Sequence, residues 1–545
     1  MQDVSAMKLD SSSPFRHLLH TNYIPTFDEA AQIRELCANP LNEIARLEAE
    51  ISRTQAILQD LQRSHRRLKT SVDAHLALLS PMRNLPPEVL QHIFIMAVPS
   101  DRNPVMHSSE APVLLGRVCS SWRRIAFATP QLWASIHVVT PQVDYSESAI
   151  SPGEIRRMAM EEWLARSGAC PLSISIWVSR AAWGAAAAAA ASPFVETILP
   201  LANRWKDIEL RVPSDSLDSF HYLQGPDVPW LKSLSVTNGG SLARDDWSGN
   251  LVFLQQAPQL HALSLTHDGN VSLPLLPWGQ LTSLSLSPTQ EFFGLNTEMT
   301  LEILSQCLNL RMCTLHFPQT PRGVQTTSSA RVAVVTLPHL SVLAVRATNF
   351  ETTDDFLSNL FGSLILPGLQ TLEMEDRNGD LVIFPALFGL LSRSPCHLQK
   401  LKLTDILTVS PLDLTNLLAL GSMNSLIELV IQDRATDEGQ HMLSASFIEA
   451  MTENRSLCPN LRVVKFYQCY DFSDHLLSKF LRVRSVVGLR SADVSFGRDA
   501  ESDFNLDAAV QLLAEDGLEV NIRHENDEFW DVLRVNPWEG LYYGR

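Results

Sequence analysis

A six-residue pattern, Leu-x-x-apolar-x-apolar, recurs along most of the chain and limits the possible folds more than any other feature. Its ten copies begin at Trp205, Leu231, Leu260, Leu281, Leu310, Leu340, Leu369, Leu398, Leu426 and Leu461. Successive starts lie 26, 29, 21, 29, 30, 29, 29, 28 and 35 residues apart. A period of this size indicates a small structural unit that buries its apolar face only against neighbouring units. Most of the 545 residues are therefore predicted to form one stacked array, not several domains.

Each copy of the pattern predicts a strand, and the residues between copies predict a loop and a helix. Proline stands two residues before five of the starts, where it disfavours continuation of a preceding helix. These residues are Pro229, Pro258, Pro338, Pro367 and Pro459. Residues 301–308 and 447–451 are typical of the intervening helices. We expect the array to cover residues 155–520, with irregular end units at 171–176 and from Leu489 onward.

The repeated unit resembles an irregular leucine-rich repeat. The resemblance implies an α/β solenoid with parallel strands on the concave side and helices on the convex side. The family has Asn or Cys eight positions after the first Leu; here only Cys469 fits, and Asp268 is a substitute. The ladder of side-chain bonds to the backbone is therefore expected to be incomplete.

Alternation along each strand places the fourth and sixth repeat positions in the core and the third, fifth and seventh on the concave face. Early repeats present small residues there: Ser233, Ser235, Thr237, Ala262, Ser264, Thr266, Ser283, Ser285 and Ser287. Later repeats present the candidate target-binding residues Arg346, Glu373, Glu375, Lys400, Lys402, Glu428, Lys465 and Tyr467. Two interpretations remain open. The charges either neutralise one another across strands as a solvated ladder, or they recognise a protein target.

Residues 41–79 carry an apolar stripe at alternating spacings of three and four, which predicts a helix that ends at Ser80-Pro81. The stripe consists of Ile44, Leu47, Ile51, Thr54, Leu58, Leu61, His65, Leu68, Val72, His75 and Leu79. One interpretation is a parallel coiled-coil dimer, which gives self-association through 41–79. The other is an amphipathic helix packed on the next domain of the same chain. The basic cluster Arg63, Arg66, Arg67 and Lys69 is interpreted as a solvated face.

Three short motifs follow the predicted long helix, between residues 85 and 133. Residues 85–94 place prolines at the start of a helix, where their missing N–H groups cost nothing. Residues 113–126 give a second stripe at Leu114, Val118, Trp122 and Ile125, and Pro130-Gln-Leu-Trp133 opens a third element. We expect Leu90, Val118 and Trp122 to be core residues, with Cys119 a small apolar core residue like Cys313. Three small helices bury little area alone, so they need a neighbour or a partner.

These motifs resemble the F-box. Matching positions are Leu85, Pro86, Glu88, Leu90, Ile93 and Phe94, then Val118, Cys119, Trp122 and Arg123, then Pro130, Leu132 and Trp133. The loop over 99–112 is longer than the usual few residues. The resemblance implies binding to the Skp adaptor and, through it, to a cullin. The candidate adaptor-binding residues are Leu85, Pro86, Pro87, Ile93, Trp122, Leu132 and Trp133, the last three partly supporting the fold.

Composition excludes several functions. The chain has 43 Lys and Arg against 60 Asp and Glu, a formal net charge of −17, which disfavours binding to a nucleic-acid backbone. Eight scattered cysteines without a C-x-x-C pair indicate thiols and no zinc ribbon. We find no phosphate-binding loop, nucleophile elbow or metalloprotease motif. We therefore expect no catalytic, cofactor-binding or metal-binding residues, no nucleic acid and no membrane contact.

The predicted organisation is a flexible N-terminus (1–39), a long amphipathic or coiled-coil helix (40–80), an F-box (81–138), the repeat array (155–520) and an acidic, aromatic tail (521–545). The predicted function is that of a non-enzymatic subunit of a cytoplasmic or nuclear ubiquitin ligase, which recruits an unknown protein target. The alternative is a repeat scaffold acting without ubiquitin transfer. A hydrolytic enzyme is a more distant alternative.

Overall fold

The computed structural model describes residues 13–140, 151–178, 185–237, 247–267, 276–288, 297–317, 334–347, 355–376, 383–406, 409–433, 441–498, 506–515 and 517–524. The chain divides into two compact units, residues 1–89 and 90–545, which we treat separately. Asp268 and residues 525–545, which include most of the predicted tail, lie outside the described residues.

The first unit consists mainly of helix α1, Phe27–Leu76, which confirms the predicted long N-terminal helix. The helix begins well before residue 40, within the predicted flexible N-terminus. Its start is set by a capping box: the Thr26 backbone N–H donates to Glu29 Oε2 at 2.8 Å, and the Glu29 N–H donates to the Thr26 hydroxyl at 3.4 Å. Two orphan backbone donors are thereby satisfied. None of the helix residues is buried.

The remaining helices and the strands follow in chain order. The α-helices are α2 Pro87–Met96, α3 Leu115–Val118, α4 Ser120–Phe127, α5 Pro152–Arg166, α6 Ala185–Ile198, α7 Thr297–Gln306, α8 Asp355–Gly362, α9 Ile383–Arg393, α10 Pro411–Leu418, α11 Ala445–Glu453, α12 Asp474–Val487 and α13 Leu506–Glu515. The strands are β1 Ser135–Val139, β2 Leu172–Trp177, β3 Trp205–Arg211, β4 Ser233–Thr237, β5 Ala262–His267, β6 Ser283–Pro288, β7 Met312–Phe317, β8 Val335–Thr336, β9 Val342–Ala347, β10 Leu364–Ile365, β11 Thr371–Asp376, β12 Lys400–Thr404, β13 Glu428–Gln432, β14 Val463–Cys469, β15 Ser491–Phe496 and β16 Glu519–His524.

Short 3₁₀ helices join several of these elements. They are Arg16–Leu18, Ala77–Leu79, Pro81–Asn84, Pro130–Trp133, Leu199–Arg204, Ser214–Tyr222, Gly225–Asp227, Trp247–Gln256, Trp278–Gln280 and Gly421–Ser425. Those at Pro81, Pro130 and Gly225 have proline at the first or second position, where its fixed φ suits the turn.

Among the described residues of the second unit, 14 strands form one parallel sheet in the order β1-β2-β3-β4-β5-β6-β7-β9-β11-β12-β13-β14-β15-β16, and β8 and β10 pair separately. Every predicted copy of the pattern forms one of these strands, which confirms the predicted parallel strands. The sheet extends further than predicted at both ends. Strand β1 lies within the segment assigned to the F-box, and β16 ends at His524, beyond residue 520.

Burial alternates along the strands as predicted. In β4, Leu234 and Val236 have no exposed surface, whereas Ser233 and Ser235 are half-buried. Helices pack against their neighbours in chain order, for example α7 against α8 and α8 against α9. Each fully buried leucine contributes about 2 kcal/mol by removal of apolar surface from water. Because a single repeat cannot bury its leucines alone, each repeat depends on the neighbouring repeats for stability.

Arginine side chains join neighbouring repeats through backbone carbonyls that precede the strands. Arg393 Nη2 donates to the Phe361 carbonyl at 2.6 Å. Arg484, 1% exposed, donates through Nη2 to the carbonyls of Leu457 and Cys458 at 2.8 and 3.2 Å. Burial lowers the pKa of Arg484 from its ordinary value. Long side chains thus satisfy backbone carbonyls of the preceding repeat.

All eight cysteines are free thiols. Cys313 is buried in the core, as predicted, and burial raises its pKa. Cys119 is exposed, so its prediction as a core residue is wrong. Within the described residues, no helix combines the length and apolar character needed to cross a membrane.

Candidate functional site

The segment before α2 exposes two prolines at the end of the first unit. Pro86 and Pro87 are exposed and Leu85 is half-buried. Pro87 is the first residue of α2, and the Val89 N–H donates to the Pro86 carbonyl at 3.1 Å, closing the first turn. Val89 is 43% exposed. Three predicted adaptor-binding residues therefore lie together in sequence, with both prolines open to solvent.

The part of α2 in the second unit has a buried and an exposed side. Leu90 and Phe94 are 5% and 0% exposed, so Leu90 belongs to the core as predicted. Ile93 and Met96, three residues apart on one helix face, are 38% and 74% exposed. Ile93, a predicted adaptor-binding residue, is thus available for contact. Met96 was not predicted, because it falls outside the motif.

The predicted second helix is broken at Cys119. This residue is extended, at φ −158° and ψ 169°, between α3 and α4. As a consequence the stripe is not continuous: Leu114 and Val118 are 43% and 56% exposed, and the prediction of Val118 as a core residue is wrong. Trp122 is half-buried.

The ring of Trp122 lies against Phe94, with centroids 4.8 Å apart. Arg123 Nε donates to the Gly116 carbonyl at 2.7 Å and ties α4 to α3. Trp122 thus packs on α2 through its ring and keeps part of its surface accessible.

Leu132 and Trp133 are interior residues, at 0% and 2% exposed, so neither side chain is accessible to an adaptor in this structure. Trp133 Nε1 donates to the Ala126 carbonyl at 2.8 Å. Its ring packs edge-on against Phe127 and Trp163, at centroid distances of 5.6 and 4.9 Å. Trp133 therefore joins α4 to α5, and the burial of Leu132 and Trp133 corrects their inclusion among direct contact residues.

The long loop over 99–112 covers the first edge of the sheet. Arg102 pairs with both carboxylate oxygens of Glu110 at 3.0 and 2.7 Å, and Glu110 Oε1 also accepts the Val105 N–H at 2.9 Å. Val105 is fully buried and forms a parallel bridge with His137 of β1. The extra length thus shields a strand edge that would otherwise expose unpaired backbone groups.

Alternate residues of the strands form what we call the polar face of the sheet: the side chains at the third, fifth and seventh repeat positions. From β4 to β6 this face carries hydroxyl groups in register, with Ser235 beside Ser264 and Ser264 beside Ser285. From β9 onward it carries charges. The change in character along the face agrees with the order of residues in the repeats.

Among the candidate target-binding residues, all of which the structure describes, three ion pairs join neighbouring strands on the polar face. Lys400 Nζ lies 2.9 Å from Glu373 Oε1, Lys465 Nζ lies 2.7 Å from Glu428 Oε1, and Arg346 Nε lies 3.5 Å from Glu375 Oε2. Six of the eight candidate target-binding residues are therefore paired with one another. Such half-exposed pairs contribute little to stability, about 0.2–1 kcal/mol each. Lys402 forms no ion pair within the part of the chain that the structure describes.

The eighth candidate, Tyr467, belongs to a network centred on Asp493. The Tyr467 hydroxyl donates to Asp493 Oδ2 at 2.8 Å, Asn521 Nδ2 donates to Asp493 Oδ1 at 2.8 Å, and Arg523 Nη2 lies 3.1 Å from the same oxygen. Burial, reinforced by the bond to Asp493, raises the pKa of Tyr467 to about 12. Asp493 and Arg523 were not among the candidates, because both lie beyond Leu489, in the predicted irregular end of the array.

Asp433 is a buried carboxyl just after β13. Its two oxygens accept the backbone N–H groups of Met442 and Leu443 at 3.1 and 2.9 Å, and His441 Nδ1 lies 3.9 Å away. Burial raises the pKa of Asp433 to about 6. The contacts give it the role of fastening residues 441–443. Across the described ranges, no group of three or more His, Cys, Asp or Glu side chains is placed to hold a metal ion.

Comparison with known proteins agrees with the motif analysis. Residues 82–138 match the family model described as F-box-like. A crystal structure of the Rad7 and Elc1 complex in yeast is similar at 12% identity, with a TM-score of 0.34, and the match covers 85% of this chain and 95% of that chain. No curated protein matches the chain. The match over 82–138 supports an F-box protein.

Proposed function

We propose that the chain is the substrate-recruiting subunit of a Skp–cullin–F-box type ubiquitin ligase. In this proposal the F-box-like segment binds the Skp adaptor, and through it a cullin, while the polar face of the sheet holds a protein target. The observation that carries the proposal is the F-box-like match over residues 82–138. The subunit positions chemistry done elsewhere and needs no catalytic residue of its own.

The exposure of apolar side chains within this segment supports adaptor binding. Pro86 and Pro87 in the first unit, and Ile93, Met96 and Val118 in the second, are exposed. Apolar groups that remain on the surface after a core has formed are typical of protein contacts. By contrast Leu132 and Trp133 are needed to build the segment, and we assign them a supporting role.

The parallel sheet supports a solenoid of the leucine-rich type, with the polar face on its concave side. A spacing near 29 residues between most starts and alternate burial along the strands are what such an array requires. The charges from β9 to β16 give the face a pattern that a target could read. Lys402 is the best candidate for target binding among them, because its ammonium group forms no ion pair within the described residues.

Adaptor binding is tested by the double variant Leu85→Ala, Pro86→Ala in the full chain. We expect capture of a Skp adaptor to fall at least tenfold with an unchanged melting temperature. The matched control is Leu412→Ala, an apolar residue that is 69% exposed and lies outside the segment. Capture at the wild-type level by the double variant would refute the adaptor assignment.

Ubiquitin transfer separates the proposal from the alternative, a scaffold that binds the adaptor without transfer. Deletion of residues 81–138 is an unsuitable test, since it removes β1 from the sheet. The test is reconstitution of the full chain with adaptor, cullin and RING subunit, followed by detection of ubiquitin on the chain or on captured proteins. Transfer that the Leu85→Ala, Pro86→Ala variant abolishes supports the ligase; adaptor binding without any transfer supports the scaffold.

Target binding is tested by charge reversal on the polar face. Lys402→Glu should deplete specific proteins from material purified with the full chain, as identified by mass spectrometry. Arg482→Glu, an exposed residue of α12, is the control. An identical set of captured proteins from the Lys402→Glu variant and from the wild type would argue against the polar face as the target site.

A further inference from the structure

Helix α1 presents an apolar stripe that the first unit leaves uncovered. Seven apolar residues at the stripe positions are between 39% and 68% exposed: Ile44, Leu47, Ile51, Leu58, Leu61, Leu68 and Val72. Polar residues interrupt the stripe at Thr54, His65 and His75. The heptad spacing of the stripe is that of a coiled-coil seam, which buries side chains against a second helix of the same spacing.

The charge along α1 is strongly polarised. Residues 27–52 contain six acidic and two basic side chains, whereas residues 53–76 contain two acidic and five basic ones. The two halves therefore have net charges of −4 and +3. Two parallel copies would bring like halves together, and two antiparallel copies would bring opposite halves together.

The residues of the seam also favour the antiparallel orientation. In coiled coils with antiparallel helices, each first-position residue of a heptad faces a fourth-position residue of the other helix. A register that places Leu58 opposite Leu61 of the second copy also places Ile51 opposite Leu68 and Leu47 opposite Val72. It also brings the polar Thr54 and His65 together, with Ile44 and His75 at the ends of the seam. In the parallel arrangement every residue meets its own copy, which stacks His65 on His65 and His75 on His75.

The charged residues beside the seam also distinguish the antiparallel from the parallel arrangement. In the antiparallel register Glu48 of one copy lies beside Lys69 of the other, twice by symmetry. In the parallel register Glu48 lies beside Glu43, which is repulsive. Neither Glu48 nor Lys69 takes part in an ion pair in the described part of the chain, so both charges are available to a second helix.

We infer that α1 mediates an antiparallel homodimer through its apolar stripe, with Glu48 and Lys69 of opposite copies in contact. The occupant of the stripe is a second copy of this chain. The overlap from residue 44 to residue 75 spans about 50 Å at 1.5 Å per residue. The C-terminal ends of the two helices, and therefore the points where the F-box-like segments begin, lie at opposite ends of the pair.

The test is the molar mass of the full chain in complex with its adaptor, measured by sedimentation equilibrium over a range of concentrations. We expect a dimer. Glu48→Lys and Lys69→Glu should each weaken the dimer about tenfold, because two attractive pairs become repulsive. The combined variant should restore the dimer to within about twofold. Arg63→Glu, a charge reversal on the side of the helix away from the stripe, is the control and should have little effect.

Three results would overturn the inference. They are a monomer at all concentrations, a tighter dimer with Glu48→Lys, as expected for parallel helices, and a dimer that none of the variants changes. Orientation is checked independently in a Cys37→Ser, Cys119→Ser background. Ile44→Cys chains should form a disulfide with His75→Cys chains but not with one another, since residues further apart than the usual Cα separation cannot be bridged. A disulfide between two Ile44→Cys chains, and none between Ile44→Cys and His75→Cys chains, excludes the antiparallel pair.

Discussion

The thiol of Cys119 accepts the backbone N–H of Trp122 at 3.4 Å. This contact caps α4 at its N-terminus, which requires Cys119 to be extended and therefore ends α3 one residue earlier. Val118, just before the cap, is 56% exposed, whereas the ring of Trp122, just after it, lies against Phe94. The cap therefore lies between an exposed apolar side chain and one that packs on α2.

Substitutions at this cap should separate its hydrogen bond from its size. Cys119→Ala should lower the free energy of unfolding by about 1 kcal/mol, because an N-terminal N–H of α4 loses its acceptor. Cys119→Ser should preserve or slightly raise stability, since a hydroxyl is the better acceptor. Urea titration of both variants measures the difference. Equal stability of the two variants would show that the thiol does not act as a cap.

The buried guanidinium of Arg484 should stabilise the contact between α12 and the residues that precede β14. Arg484→Met keeps the apolar length of the side chain but leaves the Leu457 carbonyl without its charged donor, which should cost about 2 kcal/mol. Arg482→Met, two residues away and exposed, is the matched control and should change the free energy of unfolding by less than about 0.5 kcal/mol. The two values come from urea unfolding under identical conditions; similar values would contradict a bridging role.

The buried carboxyl of Asp433 should make stability depend on pH near 6. Its pKa in the folded chain, about 6, lies above that of an exposed aspartate, so the folded state takes up a proton first as pH falls. The free energy of unfolding should therefore rise between pH 7.5 and pH 5 relative to that of Asp433→Asn, which does not titrate.

Two urea titrations of each protein, at pH 5 and at pH 7.5, measure this dependence. A His441→Gln background removes the adjacent imidazole and serves as the control. The free energy of unfolding of the wild type minus that of Asp433→Asn should increase from pH 7.5 to pH 5; a difference that stays constant or decreases would contradict the role of burial at this site.

The ion pair between Lys400 and Glu373 should be weak and sensitive to salt. A double-mutant cycle with Lys400→Met and Glu373→Gln should give a coupling energy of about 0.5 kcal/mol, which decreases in high salt. Lys465→Met, on β14 and paired with Glu428, lies three strands from Glu373 and should show no coupling to Glu373→Gln. A coupling as large for Lys465 as for Lys400 would mean that the pairing on the polar face differs from the one described.

The strands of the array could be predicted from sequence because a fixed period and alternate burial repeat the same signal ten times. The outermost strands, β1 and β16, could not. Strand β1 lies almost entirely inside a motif that indicates helices, and in the unit of β16 Gly517 takes the place of the leading leucine. The break at Cys119 was missed because cysteine reads as an apolar residue, whereas here its sulfur acts as a helix cap. The early start of α1 depends on the reciprocal bonds of Thr26 and Glu29.

Trp133 lies in the segment that matches the F-box-like model, and Trp163 lies in the first helix after it, yet their rings are in contact and β1 forms the first strand of the sheet. A fragment that ends at residue 138 would lose the contact between Trp133 and Trp163 and would leave β1 without its neighbouring strand β2. Such a fragment should expose a backbone edge and aggregate. Exchange of this segment between related chains would succeed only if α5 and β2 were transferred with it, so the smallest portable piece extends to residue 177.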